Sequence, residues 1–341
     1  MKRIKSSFMQ ELKDASASVV LLLLLIVFFA VVDSKFLRTQ NIINILRVAS
    51  ITVLAVYGQT LVLISGKIDL SMGSVAGIVS AVLAMCLQKL PIFPSIVIVL
   101  ALAALIGLII GILVFGFNFP AFIITFGMLI GLDGLGSLIT NNAPIELISV
   151  ENFGFLGSGM LLGIPVPLII AVVCFFIFRF LLSKTYYGRT LYALGNNPTA
   201  TYLSGRNVRL TGIITFMLSS VLVGATSVVL SSRIYSGLSS ISPNLAFDAI
   251  AAAALGGISL SGGKGNLLQA TTGAVTVTVL MNGLNILNVG TYYQMIAGGM
   301  IILFAVVANN IRETGFSTLT GFKFGSLKRK KAAAACEDDA L

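Results

Sequence analysis

Residues 65–74 read Ser-Gly-Lys-Ile-Asp-Leu-Ser-Met-Gly-Ser, and they place two ionisable side chains, Lys67 and Asp69, within a long apolar region. An ionisable group at membrane depth costs about 2.5–3.5 kcal/mol on insertion scales. Non-helical backbone at that depth is tolerated only where protein or a water-filled cavity surrounds it. The stretch therefore predicts a membrane helix that is broken by Gly66 and Gly73 beside a pathway for a solute.

The composition of the whole chain is that of a membrane protein. Hydrophobic residues make up 57% of the 341 residues and charged residues 10%, His and Trp are absent, and the mean hydropathy is +1.02. Apolar runs such as 19–32 and 96–117 approach the roughly 20 residues that a span needs, and they are apolar on all sides of the helix. The predicted fold class is an all-α polytopic membrane protein.

Hydropathy and helix-breaking residues together predict about ten spans. The predicted organisation is a cytoplasmic segment 1–15, a transmembrane domain 16–312, and a disordered cytoplasmic tail 313–341. The predicted spans lie near 16–32, 42–64, 73–88, 94–117, 121–140, 163–182, 211–230, 246–260, 267–288 and 292–310.

Charge predicts the orientation, because basic residues collect in the loops on the cytoplasmic side of membrane proteins. Most Lys and Arg residues fall in alternate segments that include both termini, whereas Glu146 and Glu151 lie in the longest loop of the other side. Both termini are therefore expected in the cytoplasm, and the helix surfaces in membrane lipid. The same topology signals explain the net charge of +10, so no nucleic-acid partner is expected.

Residues suited to catalysis are scarce. Gly257–Gly265 resembles a phosphate-binding loop, but Lys264 is followed by glycine rather than by Ser or Thr. The three cysteines, Cys86, Cys174 and Cys336, lie far apart, and the acids are scattered singly. We therefore expect no catalytic residue, no metal site and no bound cofactor, so the energy for uphill transport must come from a partner or an ion gradient.

A weak internal repeat has an offset of 166 residues. It aligns Phe36–Ile42 with Tyr202–Val208 and Ser65–Ile68 with Ser231–Ile234, so that Lys67 matches Arg233. Because five predicted spans separate the copies, the second copy is expected to be inverted in the membrane. Inverted repeats are common in transporters, whose solute sites lie between the two halves.

Five motifs in order resemble one family: Ser65–Ser74, Tyr187–Asn197, Tyr202–Val208, Leu255–Gly265 and Asn282–Asn285. Together they are similar to the ribose-type permeases of bacterial ABC importers, in the wider branched-chain amino acid/sugar permease family. The resemblance implies a permease in the inner membrane that works as a homodimer or heterodimer with a second permease copy. It also implies a cytoplasmic ABC ATPase that hydrolyses ATP, and a periplasmic sugar-binding protein that delivers the solute.

The solute implied by the resemblance is a monosaccharide, either a ribose-like pentose or a hexose. Family members for an autoinducer, a nucleoside or an amino acid remain alternatives. A secondary transporter could instead use Asp69, Asp133 and Asp248 as ion sites. A membrane scaffold without transport activity is the third alternative.

The resemblance assigns the loop 183–209 to docking on the ATPase, and Gly and Pro are expected to break this loop into a turn and a short helix. The family's motif has Glu-Ala-Ala followed after three residues by Gly, whereas Thr199-Ala200-Thr201 and Gly205 stand at the matching positions. The carboxylate of the motif is therefore missing. The coupling residues expected in this loop are Gly188, Arg189, Gly195, Asn196, Asn197, Ala200 and Gly205.

The pathway or gate is predicted at Asp69, Ser71, Asp248, Asn282 and Asn285, which could form hydrogen bonds with the hydroxyl groups of a sugar. Capping of a helix by the aspartates and amide bonds between helices are the structural alternatives for these side chains.

Asp133 lies within the predicted fifth span, and a carboxylate there is expected to line the bundle interior or a wet cavity. Arg47 in the second span is a possible partner. A neutral, hydrogen-bonded Asp133 with a structural role is the alternative.

Overall fold

The computed structural model describes residues 16–148 and 150–314. The predicted segment 1–15, the tail beyond residue 314 and Cys336 lie outside these residues. The described chain is almost entirely helical, in thirteen α-helices. They are α1 (Ser16–Val32), α2 (Thr39–Ile64), α3 (Met72–Leu87), α4 (Ile92–Gly111), α5 (Ala121–Thr140), α6 (Phe155–Ser158), α7 (Val166–Lys184), α8 (Tyr186–Asn196), α9 (Pro198–Leu203), α10 (Val208–Ile234), α11 (Leu245–Gly256), α12 (Leu267–Ile286) and α13 (Thr291–Thr314).

Short irregular elements connect these helices. A 3₁₀ turn, Ser34–Leu37, precedes α2, and a π-helical turn, Ile112–Gly116, extends α4. Two antiparallel pairs of two-residue strands lie in the loops. Strand β1 (Ile145–Glu146) pairs with β4 (Ser236–Gly237), and β2 (Met160–Leu161) pairs with β3 (Ile164–Pro165).

The break predicted in residues 65–74 is confirmed at Gly66, whereas Gly73 does not break the helix, because it lies in the first turn of α3. Helix α2 ends at Ile64, Gly66 has a φ of 75°, and α3 begins at Met72. The positive φ is a conformation that glycine adopts without a steric penalty from Cβ. Before α3, Asp69 Oδ1 accepts hydrogen bonds from the Ser71 backbone N–H at 2.8 Å and from the Ser71 hydroxyl at 2.6 Å. These bonds hold the carboxylate within a turn of irregular backbone.

Six of the described helices are long and apolar enough to cross a membrane: α2, α4 with its π turn, α5, α7, α10 and α12. Shorter apolar stretches occur in α1, α3 and α11. The predicted span 246–260 is shorter than expected, because α11 ends at Gly256 and Gly257 takes a φ of 92°. Its 12 residues extend about 18 Å, less than the hydrocarbon thickness of about 30 Å.

Helix α2 forms the centre of the bundle. It packs against α10, α12, α7 and α11, and α10 also packs against α3 and α4. Gly58 of α2 allows a close crossing with α10, since an ideal Cβ there would lie 3.0 Å from the backbone oxygen of Ser219. Helices α4, α5 and α7 leave most of their apolar surface exposed. The apolar side chains therefore face both the core and the outside of the bundle.

Candidate functional site

The loop 183–209 is folded onto the end of the bundle. Only Thr185 separates α7 from α8, and its hydroxyl oxygen accepts a hydrogen bond from the Gly188 N–H. An ideal Cβ on buried Gly188 would lie 2.1 Å from the Leu182 backbone oxygen, so only glycine fits there. Tyr187 forms a 2.8 Å hydroxyl hydrogen bond with Thr215 of α10, and burial raises the pKa of its phenol. These contacts fix α8 to α7 and α10.

The prediction that glycines break this loop is wrong for Gly188 and Gly195, because both lie inside α8. They permit close packing instead. The turn between helices occurs at Asn197, whose side chain accepts a hydrogen bond from the Ala200 N–H and caps α9. Gly205 does lie in a turn, with a φ of 78° and no atom within 4 Å of an ideal Cβ.

Three chain segments meet at Gly195, and we call this contact the glycine joint: Ile64–Gly66, Gly195–Asn196 and Gly262–Gly263. An ideal Cβ on Gly195 would lie 1.8 Å from the Ile64 oxygen and 2.4 Å from the Gly263 nitrogen. An ideal Cβ on Gly262 would lie 2.7 Å from the Gly66 Cα. The backbones approach too closely for any side chain.

Hydrogen bonds connect the glycine joint. The Gly263 N–H donates to the Ile64 oxygen at 2.9 Å. The Asn196 amide donates to the Gly263 oxygen at 3.2 Å, and the Tyr192 hydroxyl donates to the Gly265 oxygen at 2.7 Å. The loop 183–209 is thus bonded to the glycine-rich loop Gly257–Gly265, which packs against the break after α2.

The outward surface of this region is formed largely by α9. Asn197, Thr199 and Ala200 are exposed. The side chains of Tyr202 and Leu203 are 70% and 78% exposed, although both are large and apolar in character. The two side chains are neighbours in the sequence, and contiguous exposed apolar groups rimmed by polar residues mark interaction sites more often than single ones do.

A cavity of about 710 Å³ opens elsewhere in the bundle, among α2, α10, α11, α12 and α13. Three of the five predicted pathway residues, Asp248, Asn282 and Asn285, line it. Further polar lining residues are Asn44, Thr52, Thr226, Arg233, Ser242, Asn244, Thr278, Thr291 and Gln294. The cavity has the size of a small-molecule site and presents both donors and acceptors of hydrogen bonds.

Some cavity amides also connect helices. Asn282 of α12 and Asn41 of α2 donate to each other's amide oxygens at 3.0 Å. The Gln294 amide donates to the Asn285 oxygen at 3.2 Å. Asp248 is exposed towards the cavity, near the N-terminus of α11. Interhelical bonding and contact with the cavity therefore coexist at Asn282.

Arg233 also lines the cavity, although it is not among the five predicted pathway residues. It lies in the last turn of α10 and donates to the Asn44 oxygen at 2.9 Å. In the sequence, the pattern that could have pointed to Arg233 is its match with Lys67 in the internal repeat. Arg47 instead donates to the backbone oxygen of Ser158 at 2.7 Å.

The structure does not bring Asp69 and Ser71 to the cavity. Asp69 is 1% exposed and Ser71 is fully buried in the packed segment between α2 and α3. Asp69 Oδ1 accepts both hydrogen bonds from Ser71, the residue before α3, so the carboxylate stabilises the turn that leads into the helix and does not itself cap it. Within the described residues, Lys67 forms no ion pair with Asp69. Its Nζ lies instead 6.0 Å from the ring centroid of Phe115, at cation–π distance.

Two expectations about Asp133 are wrong in this chain. Asp133 is exposed on the outer face of α5 and lines neither the bundle interior nor the 710 Å³ cavity. It forms no ion pair with Arg47: within residues 16–148 and 150–314, the ion pair that the structure contains is Lys35–Asp33. The reason is geometric: α5 turns this face away from α3, the helix on which it packs most extensively.

Residues 41–305, which include the glycine joint and the cavity, match the family model described as the permease component of branched-chain amino acid transport systems. The chain belongs to this permease family. The six candidate spans within residues 16–148 and 150–314, together with the family, identify it as a multi-pass membrane protein.

Several known permeases are similar to this family member along most of its length. The ribose import permease of Haemophilus influenzae is 37% identical over 289 residues, which cover 84% of this chain and 90% of that protein. The "Probable ABC transporter permease protein" of Escherichia coli is 37% identical over 80% and 82% of the two chains. The galactose/methyl galactoside import permease of Escherichia coli is 34% identical over 90% and 97%. No solved structure matches this chain significantly.

Proposed function

We propose that this chain is the permease subunit of an ABC importer that moves a monosaccharide across the bacterial inner membrane. The observation that carries the proposal is the similarity to import permeases for ribose and galactose, at 34–37% identity over at least 84% of the chain. In this proposal the subunit is not an enzyme and binds no cofactor, and a partner hydrolyses ATP. The structure offers no specific observation in favour of an autoinducer, nucleoside, amino acid or ion-coupled alternative.

The cavity is the proposed passage for the sugar. A neutral sugar needs many weak directional contacts, and the amides of Asn44, Asn282 and Asn285 with the carboxylate of Asp248 can donate to and accept from hydroxyl groups. Phe247 supplies an apolar face beside them. A transporter site must release its solute, so such dispersed contacts suit passage better than a tight pocket would.

The glycine joint and α8–α9 form the proposed connection to the cytoplasmic ATPase. Support comes from the rigid attachment of α8 through Gly188 and Tyr187, and from the exposed side chains of Tyr202 and Leu203. A motion of α8 would reach the break after α2 directly through Gly195. The other proposed partners are a periplasmic sugar-binding protein, a second permease copy and membrane lipid.

The inverted repeat and the ten spans belong to the same proposal. Helix packing supports the repeat, because contacts of the first half recur in the second. The pairs α3–α4 and α3–α5 correspond to α11–α12 and α11–α13, while α10–α4 and α10–α3 correspond to α2–α12 and α2–α11. Under this proposal α1, α3, α11 and α13 complete the set of ten, and both termini lie in the cytoplasm.

Asp248→Asn tests the passage, with Asp133→Asn as the matched control. Permease, ATPase and binding protein are reconstituted in proteoliposomes, and uptake of labelled ribose and galactose is measured with and without ATP. Because the substitution removes a charge-assisted hydrogen-bond acceptor, Asp248→Asn should lower ATP-dependent uptake about tenfold. Asp133 lies outside the cavity, so Asp133→Asn should leave uptake unchanged.

Two results would contradict the proposal. Equal effects of both substitutions would exclude Asp248 as a specific passage residue. Sugar uptake by the wild type that follows an ion gradient and ignores ATP would support a secondary transporter instead.

A further inference from the structure

The glycine-rich loop Gly257–Gly265, which connects α11 to α12, has a backbone conformation fixed by several positive φ angles and by an internal hydrogen bond. Gly257, Gly262, Gly263 and Gly265 all have positive φ, and the Ser259 N–H donates to the Lys264 oxygen at 3.3 Å. Helix α12 then begins with a capping box between Asn266 and Gln269. The loop is therefore held in one conformation at both ends.

This loop lies next to α8, which together with α9 forms the proposed docking surface for the ATPase. Tyr192 and Asn196 of α8 bond to the backbone oxygens of Gly265 and Gly263, on either side of Lys264. The Lys264 side chain is exposed, as are those of Asn196 and Arg189. Lys264 is thus presented on the same surface as the coupling loop.

The charged side chains of the loops 183–209 and 257–266 are all positive. Neither 183–209 nor 257–266 contains an Asp or Glu, whereas both contain cations. In the described part of the chain, the ion pair found is between Lys35 and Asp33, so no acid lies within 4 Å of the Lys264 ammonium group. A partner that docks here must supply the acidic groups, especially since Thr199 replaces the carboxylate of the family's coupling motif.

We propose that Gly257–Gly265 is a second docking segment for the ATPase, in which Lys264 contacts an acidic side chain of that partner. Tyr192 and Asn196 are the positioning residues that join this segment to the coupling loop, so that one ATPase motion displaces both. The inference rests on the proposed function and adds to it a second contact with the ATPase, made by the glycine-rich loop through Lys264.

A photo-crosslinking amino acid at position 264 tests the contact in the assembled complex. The permease and its ATPase are placed in nanodiscs of phosphatidylcholine alone or with phosphatidylglycerol. We expect a crosslink to the ATPase from position 264 and from position 203 in both lipids. Position 89, an exposed Lys at the predicted opposite end, should give none.

Charge reversal provides a functional measure. Lys264→Glu should lower ATPase activity stimulated by the binding protein about fivefold, and Lys264→Arg should retain it, because a close charge pair across an interface becomes repulsive. Lys89→Glu is the control and should have no effect. Because salt screens charges at an interface, higher salt should reduce the difference in stimulated ATPase activity between the wild type and the Lys264→Glu variant.

Tyr192→Phe tests the positioning role, since it removes the hydroxyl bond to Gly265 and keeps the ring. We expect the crosslink yield at position 264 to fall at least about twofold relative to that at position 203, with only a small fall in melting temperature, because a single hydrogen bond is lost. A change that only weakened the fold would lower both yields together.

The outcomes separate the two proposals. Crosslinks from position 203 alone, in an ATP-dependent importer, would overturn the inference and leave the proposed function intact. A Lys264→Glu effect that disappears without phosphatidylglycerol would assign Lys264 to lipid headgroups and also overturn it. Absence of both crosslinks together with ATP-independent uptake would refute the proposed function itself.

Discussion

At the scale of single residues, glycine serves two different physical needs at one end of the bundle. Gly195 has an ordinary helical backbone conformation, but it leaves no room for a side chain, because the Ile64 oxygen and the Gly263 nitrogen lie where a Cβ would be. Gly205 has open space but a φ of 78°. Substitution at Gly205 therefore costs conformational strain of about 1–2 kcal/mol, whereas substitution at Gly195 forces backbone segments apart.

Gly195→Ala should destabilise the protein by about 1–3 kcal/mol, as overpacking of a close contact does, and should uncouple ATP hydrolysis from uptake. Gly131→Ala is the matched control in a helix, because no atom lies within 4 Å of its ideal Cβ. That control should be neutral or gain up to about 1 kcal/mol of helix propensity. Thermal unfolding in detergent and coupled uptake measure both effects. A Gly195→Ala protein with normal stability and coupling would show that the glycine joint is not a tight contact.

At the scale of secondary-structure elements, polar side chains join helices whose contact surfaces are otherwise mostly apolar. The Asn41–Asn282 pair connects α2 to α12 at the wall of the cavity with two mutual hydrogen bonds. In a membrane, the hydrophobic effect provides little force between helices, so such bonds and close packing hold them together.

A double-mutant cycle with Asn41→Ala and Asn282→Ala measures this connection. The interaction energy should be about 0.6–1.7 kcal/mol, from the average to the maximum measured for hydrogen bonds between membrane helices. The comparison cycle pairs Asn41→Ala with Asn285→Ala, because Asn285 bonds to Gln294 rather than to Asn41. That cycle should be additive within about 0.5 kcal/mol. Strict additivity in the first cycle would mean that the two amides bond to water instead of to each other.

At the scale of the whole molecule, the cavity and the glycine joint involve the same central helix. Helix α2 contributes Asn44 and Thr52 to the cavity, and its last residue, Ile64, lies in the glycine joint. Thr52 and Ile64 are 12 residues apart in the sequence, which corresponds to about 18 Å along a helix. A displacement of the glycine joint by the proposed ATPase partner would therefore reach the cavity through a single helix.

Cysteine labelling tests the orientation that this arrangement requires. Leu162→Cys, at a site where the native side chain is 96% exposed, should react with a membrane-impermeant maleimide from the periplasmic side. Leu203→Cys should react only after the membrane is opened, because the coupling loop faces the cytoplasm in the proposed topology. Both are made on a background in which the native cysteines are replaced by Ser. Labelling of Leu203→Cys in sealed right-side-out vesicles would reverse the proposed orientation.

Local features of the sequence were sufficient to predict much of this protein. Glycine and polar residues interrupting an apolar run predicted the break between α2 and α3, since backbone preference and desolvation act within a few residues. Hydropathy predicted an all-helical membrane chain, because lipid leaves few other ways to satisfy backbone hydrogen bonds. Five motifs led to the permease family.

Tertiary packing alone decided which polar residues face a cavity. Asp69, Asp133 and Asp248 looked alike in sequence, yet they are respectively buried in a turn, exposed on an outer face and directed to the cavity. The sequence predicts Gly188 and Gly195 as helix breakers, but both are packing positions inside α8. The environment of a side chain depends on residues far away along the chain, such as Ile64 and Gly263 around Gly195, and no local pattern contains that information.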